Sequence, residues 1–149
     1  MKQLHGQASG TVLASIDESF ALLQAIERYP RWNANVFREV EVLERDPEGH
    51  AAKAWAKLRV ARGRFTKDFE LVVAVRAQRP SAIYLERIPN EPSDGERLEL
   101  TWSLHDEGVT RIALRFSASL SSLPSFMPLG GTGDQIAASL VRAVGRALE

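Results

Sequence analysis

The sequence predicts an α+β domain: a seven-stranded, curved antiparallel sheet wrapped around one long C-terminal helix, with two short helices between strands one and two. Three observations lead there. Strand-like runs recur at hairpin spacing with no helix between them. A capped amphipathic segment follows the first strand. The chain closes on one apolar stripe at helical spacing.

The first segment, Gln3 to about Ala14, carries Gly6, Gly10, Thr11 and Val12 and reads as a weak strand. Ser15-Ile16-Asp17-Glu18 is a capping box, in which Ser15 accepts from a backbone N–H and Glu18 reaches back. Phe20, Leu23 and Ile26 follow at near-helical spacing and give a short helix. Pro30 is unfit for a helix interior but suited to a first position, so Tyr29 marks a break and Pro30 to about Ala34 a second, very short helix. That helix brings Tyr29 and Trp32 near one another.

From Val36 the pattern alternates, Val36, Arg38, Val40 and Val42 against Phe37, Glu39, Glu41 and Leu43, as a half-buried strand does. Five further strands are expected at about 51–60, 65–77, 82–88, 97–104 and 110–119. Turn signals at "RDPEGH", "ARGR", "QRPS", "NEPSDG" and "HDEG" separate them. The last helix shows Ile136, Leu140, Val144 and Leu148 in one stripe, with Val141 flanking, and Thr132 with Gln135 reads as a second capping box. Such a helix buries its stripe only against one face of the sheet.

Composition narrows the function. At 149 residues the chain fits a single domain, 1–149, and 44% hydrophobic with 26% charged residues is ordinary for a globular protein. Nineteen basic side chains balance nineteen acidic ones, so no global field draws the protein to nucleic acid. Without cysteine there is no disulfide scaffold, thiolate metal site or thiol nucleophile. The N-terminus has no continuous apolar stretch of signal-peptide type, and the run Leu71 to Val75 is far short of the roughly 20 residues of a membrane helix. A cytoplasmic protein with no integral membrane segment is expected. Its oligomeric state is open.

Two stretches resemble a known family. "ASIDESFALLQAIERYPRWNANVFREVEVLERD" is similar to the opening of the polyketide cyclase/dehydrase and coenzyme-Q-binding families, with Tyr29, Pro30, Trp32 and the Val42-Leu43-Glu44-Arg45-Asp46 strand end as the matching residues. "TWSLHDEGVTRIALRF", Thr101 to Phe116, looks like the family's penultimate hairpin. The resemblance implies the helix-grip fold of START-type (SRPBCC) domains, with the Tyr-Pro-Arg-Trp turn closing one end of a groove between sheet and long helix. It implies a hydrophobic or amphipathic ligand (lipid, isoprenoid or polyketide-like) in that groove. Two rivals are a polyketide cyclase or aromatase and a domain that binds a protein partner.

The residues themselves offer candidates for a cavity wall: Trp32, Phe69, Trp102, Phe116, Phe126 and Met127, the last two as a lid in a Pro-flanked loop. Ala52, Ala54, Ala56, Leu58 and Val60 share the inward face of one strand. The alanines there either leave room for a ligand or admit the helix closely. Phe65, Leu71, Val73, Leu98, Leu100, Ile112 and Leu114 are further inward positions. His5, His50 and His105 lack ligand spacing, so no metal is expected. "LGGTGD" lacks the Lys-Ser/Thr ending of a phosphate loop and reads as a hinge before a cap. No serine sits in a nucleophile elbow, and no acid–base pair stands out among Glu86, Glu96 or the rest. No cofactor is expected, and the catalytic residues, if any, are unassigned. Arg59, Arg62, Arg64 and Lys67 gather on one hairpin, either solvated or poised to meet an anionic headgroup at a cavity mouth.

Overall fold

The computed structural model describes residues 2–91, 93–121 and 131–149. Among these, seven strands form one antiparallel sheet: β1 (Lys2–Val12), β2 (Phe37–Arg45), β3 (Ala51–Arg62), β4 (Phe65–Gln78), β5 (Ala82–Arg87), β6 (Arg97–Asp106) and β7 (Thr110–Leu120). Their order is β1-β7-β6-β5-β4-β3-β2, a meander from β2 to β7 with β1 added beside β7.

That order explains the helical connection. β1 and β2 are opposite edges, so the chain between them must cross six strand spacings, roughly 29 Å at about 4.8 Å each. Helix α1 (Ile16–Gln24), a 3₁₀ turn (Ile26–Arg28) and α2 (Tyr29–Trp32) make the crossing. At the start of α1, Ser15 Oγ accepts from the Glu18 N–H at 3.1 Å and donates to the Glu18 carboxylate at 3.3 Å, so the predicted cap forms. Phe20 and Leu23 of α1, and Ile26 after it, are fully buried. Pro30 occupies the first turn of α2, where its missing N–H costs nothing.

β2 departs from simple alternation. Phe37 opposes Leu58 while Glu39 opposes Lys57, a bulge at Arg38 that shifts the face of the residues from Glu39 to Val42, beyond which the register breaks again. Phe37 therefore points inward together with Val40 and Val42, whereas unbroken alternation would have put Phe37 outside.

Helix α3 (Thr132–Ala147) lies against β1 and, to a lesser extent, β7, with α2 at its side. A Cβ on Gly133 would overlap the His5 carbonyl, and one on Gly6 would overlap the Gly133 carbonyl, so helix and strand backbones touch directly. Asp134 Oδ1 accepts from the Gln7 N–H at 3.0 Å and fastens the same joint. The predicted Thr132–Gln135 capping box does not form. Gly131, at φ +77°, stands at the N-cap, and Thr132 is buried inside the first turn. The buried stripe is also rotated from the prediction: Ala137, Leu140, Ala143 and Val144 face the sheet, while Ile136, Val141 and Leu148 are half-buried. Small side chains set that face because the backbone approaches so closely.

Candidate functional site

Between the sheet and α3 lies an apolar cavity of about 50 Å³, or about 530 Å³ when the groove open to solvent is included. Leu58, Val60, Phe69 and Leu71 of β3 and β4 form one wall. Leu98, Leu100, Phe116, Ala118 and Leu120 of β6 and β7 form the other, with Leu4 of β1 beside them. Ile136 and Leu140 cover it from α3, and Val36 and Phe37 close the side next to α2. Most of the lining is buried. Val36, Leu58 and Ile136 are half-exposed and so mark the mouth.

Local sequence accounts for this gap. From Ala54 onward β3 alternates, so Ala54, Ala56, Leu58 and Val60 point inward as predicted and Ala54 and Ala56 are buried, whereas at the irregular start of the strand Ala51 is buried in place of the predicted Ala52. Leu58 opposes Phe69 and Ala56 opposes Leu71, so each cross-strand pair contributes a facing couple. The cavity is bordered there by leucines of β6 and by the rings of Phe37, Phe69 and Phe116.

Of the six residues singled out from sequence, Phe69 and Phe116 line the cavity. Trp32 and Trp102 are not among the lining residues. Their rings pack against each other at 6.5 Å, and Trp102 is fully buried. Tyr29 joins them, 4.8 Å from Trp32 and 4.9 Å edge-on to Phe37, so Phe37 separates this aromatic cluster from the cavity. The Tyr29 hydroxyl donates to the Leu23 carbonyl at the end of α1. Burial raises its pKa far above the tyrosine range, so it remains a donor, and the nearby Trp102 indole only partly offsets that rise without the geometry of a hydrogen bond. Phe126 and Met127 lie outside the described residues.

Phe65 is 45% exposed, although it was expected inward. It is on the expected face, opposite Arg62 at the hairpin tip. The hairpin cations are not equivalent. Arg59 turns to the outer face and grips Asp68 with two hydrogen bonds of 2.7 and 3.2 Å, which hold the Asp68 carboxyl below its ordinary pKa. Arg62 Nη1 donates to Gln135 Oε1 on α3 at 3.2 Å and bridges the mouth. Arg64 and Lys67 are exposed.

A polar cluster missed by sequence reading pins the β5–β6 connection. Arg87 is buried, donates to the Glu96 carbonyl at 2.8 Å and to Asp94, and lowers the Asp94 pKa. The Glu96 carboxylate accepts from the Ser121 N–H at 2.9 Å, at the exit of β7. The inward basic residue in "YLERI" was the available signal. Glu86 is exposed. Among the described residues no cluster of three His, Asp or Glu side chains is arranged to hold a metal, and no helix is long and apolar enough to cross a membrane.

The family model described as polyketide cyclase/dehydrase and lipid transport matches residues 12–144. No curated protein sequence matches the chain. Among solved structures, a START superfamily protein from Mycobacterium smegmatis is similar with a TM-score of 0.74 at 15% identity, over 97% of both chains. A protein from Geobacillus kaustophilus gives 0.70 at 14% identity, over 97% of this chain and 95% of its own. An aromatase/cyclase from Streptomyces sp. R1128 gives 0.64 at 15% identity, over 99% and 94%. These likenesses are of fold. With a family model spanning nearly the whole chain, from the end of β1 to the last turns of α3, the protein belongs to the polyketide cyclase/dehydrase and lipid-transport family of START-like helix-grip domains.

Proposed function

We propose that the protein binds a hydrophobic or amphipathic small molecule in the cavity between the sheet and α3. The observation that carries this reading is the lining: every described residue around the cavity is apolar except Arg59, whose guanidinium is engaged with Asp68 on the outer face. Apolar surface buried there is worth about 25 cal/mol per Å², so each 100 Å² contributes roughly 2.5 kcal/mol before the costs of association.

The 50 Å³ of the cavity is less than the about 150 Å³ that admits a benzene ring, and well under the roughly 300 Å³ at the low end for ligand pockets. Binding therefore requires the gap to widen at its half-exposed mouth, between Leu58 and Ile136. The described lining places no carboxylate, imidazole or phenol against the cavity, so binding is favoured over cyclisation, which needs an acid or base within reach of the substrate.

The test is native mass spectrometry of freshly purified protein, together with fluorescence titration using the apolar probe N-phenyl-1-naphthylamine. A co-purifying apolar adduct, or saturable probe binding that the adduct competes away, is expected. Absence of both would refute the reading.

A further inference from the structure

The hairpin of β3 and β4 continues past the cavity as a ladder of side chains on the same face. Directly opposed residues of an antiparallel pair share a face. The register runs Leu58 with Phe69, Val60 with Lys67, and Arg62 with Phe65, without a bulge. Leu58, Phe69 and Val60 line the cavity, so Lys67 and then Arg62 rise from its wall toward solvent. Arg62 reaches the first turn of α3 at Gln135, one residue from the lining residue Ile136. Two cations thus stand over the mouth of an apolar cavity.

Among the described residues, the hairpin carboxylates face away from the mouth, and Asp134 keeps its charge at the first turn of α3, where the two cations outnumber it. Asp68 belongs to Arg59 on the opposite face, Glu70 opposes Lys57 on that same outer face, and Asp134 accepts from the Gln7 N–H. An apolar pit with a positive rim suits a molecule with an apolar body and a negative end.

We propose that the natural ligand is an anionic amphiphile, its apolar part in the cavity and its carboxylate, sulfate or phosphate met by Lys67 and Arg62. This rests on the binding function proposed above and names its ligand class. Each partly solvated cation contributes about threefold in affinity, so two give about tenfold preference for an anion over a neutral molecule of equal chain length.

The experiment compares decanoate with decan-1-ol by isothermal titration calorimetry and amide chemical-shift mapping, at low and high salt, with acetate and inorganic phosphate as chainless controls. Wild-type protein is expected to bind decanoate about tenfold more tightly than decanol, with the preference shrinking at 0.5 M salt. Lys67→Gln and Arg62→Gln each lower decanoate affinity about threefold and leave decanol unchanged. Both positions are on the hairpin rim, and the unchanged decanol affinity certifies that each variant is folded. Equal binding of decanoate and decanol overturns the anionic preference while leaving a neutral ligand in the cavity. Decanoate preference unaltered in both variants overturns the assignment to Lys67 and Arg62. Acetate or phosphate shifting the same amides as strongly as decanoate overturns the amphiphile, since the rim then acts without the cavity. Binding of neither decanoate nor decanol removes the binding function itself, and this proposal with it.

Discussion

Gly133→Ala tests the joint that holds α3 on the sheet. In the structure the added methyl would overlap the His5 carbonyl oxygen and lie 3.2 Å from the Gly6 nitrogen, both backbone atoms that no side-chain rotation can clear. Restoring a C···O separation of about 3.3 Å requires the first turn of α3 to retreat by roughly 1.5 Å. That retreat strains or breaks the bond from the Gln7 N–H to Asp134, worth about 1.5 kcal/mol for a charged acceptor, and adds an overpacking cost of about 1–3 kcal/mol. The expected loss is about 3 kcal/mol. Urea denaturation followed by circular dichroism measures it as a lower midpoint with an unchanged m-value. Gly145→Ala on the same helix is the control: nothing lies within 4 Å of its added methyl, and replacing a helical glycine gains up to about 1 kcal/mol. A Gly133→Ala variant within 0.5 kcal/mol of wild type would refute the direct backbone contact between α3 and β1.

Three further outcomes are expected. Tyr29→Phe removes the hydroxyl that serves the buried Leu23 carbonyl and costs about 1–2 kcal/mol, read as a melting temperature lower by roughly 4 °C; no change would mean that carbonyl is satisfied otherwise. Asp68 and Asp94 have folded-state pKa values held below the ordinary carboxylate range by Arg59 and Arg87. Their stabilisation is complete above about pH 4 and is lost as pH falls through those depressed values, so Asp94→Asn is destabilised relative to wild type at pH 7 and converges with it in urea midpoints taken toward pH 2. Leu71→Phe adds volume to the cavity wall and is expected to keep stability within about 1.5 kcal/mol while weakening N-phenyl-1-naphthylamine binding at least threefold; unchanged binding would place the probe elsewhere.

The sequence made the element order legible because its signals are local. The Ser15 cap and the turn residues act within a few residues and form where expected, whereas the break expected at Tyr29 falls at Ala25, with Tyr29 opening α2, and the inward alternation of β3 holds from Ala54 onward but not at Ala52, where Ala51 is buried instead. What misled were features decided by partners distant in sequence. The bulge at Arg38 exists because β2 must fit β3, and nothing in "VFREVEV" marks it. Thr132 and Gln135 have capping-box spacing, yet Thr132 is buried and Gly131 stands at the cap, beside the contact of Gly133 with His5 and Gly6. The site divides the same way. Phe69, Phe116, Trp32 and Trp102 all read as large inward rings, but bulk favours filling space as readily as bordering it, and the tryptophans pack against each other instead of lining the cavity. Leu58, Leu71 and Leu100 border the cavity and look like any core leucine in sequence. Arg87 was overlooked because its inward charge acquires meaning only from Asp94 and Glu96 across the turn.

Methyl-resolved NMR of the protein titrated with N-phenyl-1-naphthylamine follows the gap between sheet and α3 directly. Saturable shifts concentrated at Leu58, Leu71, Leu100, Ile136 and Leu140 are expected, with the α3 resonances moving as the mouth widens. Methyls there that stay fixed while the outer face of the sheet responds, or a spectrum that never changes, would contradict binding in that gap.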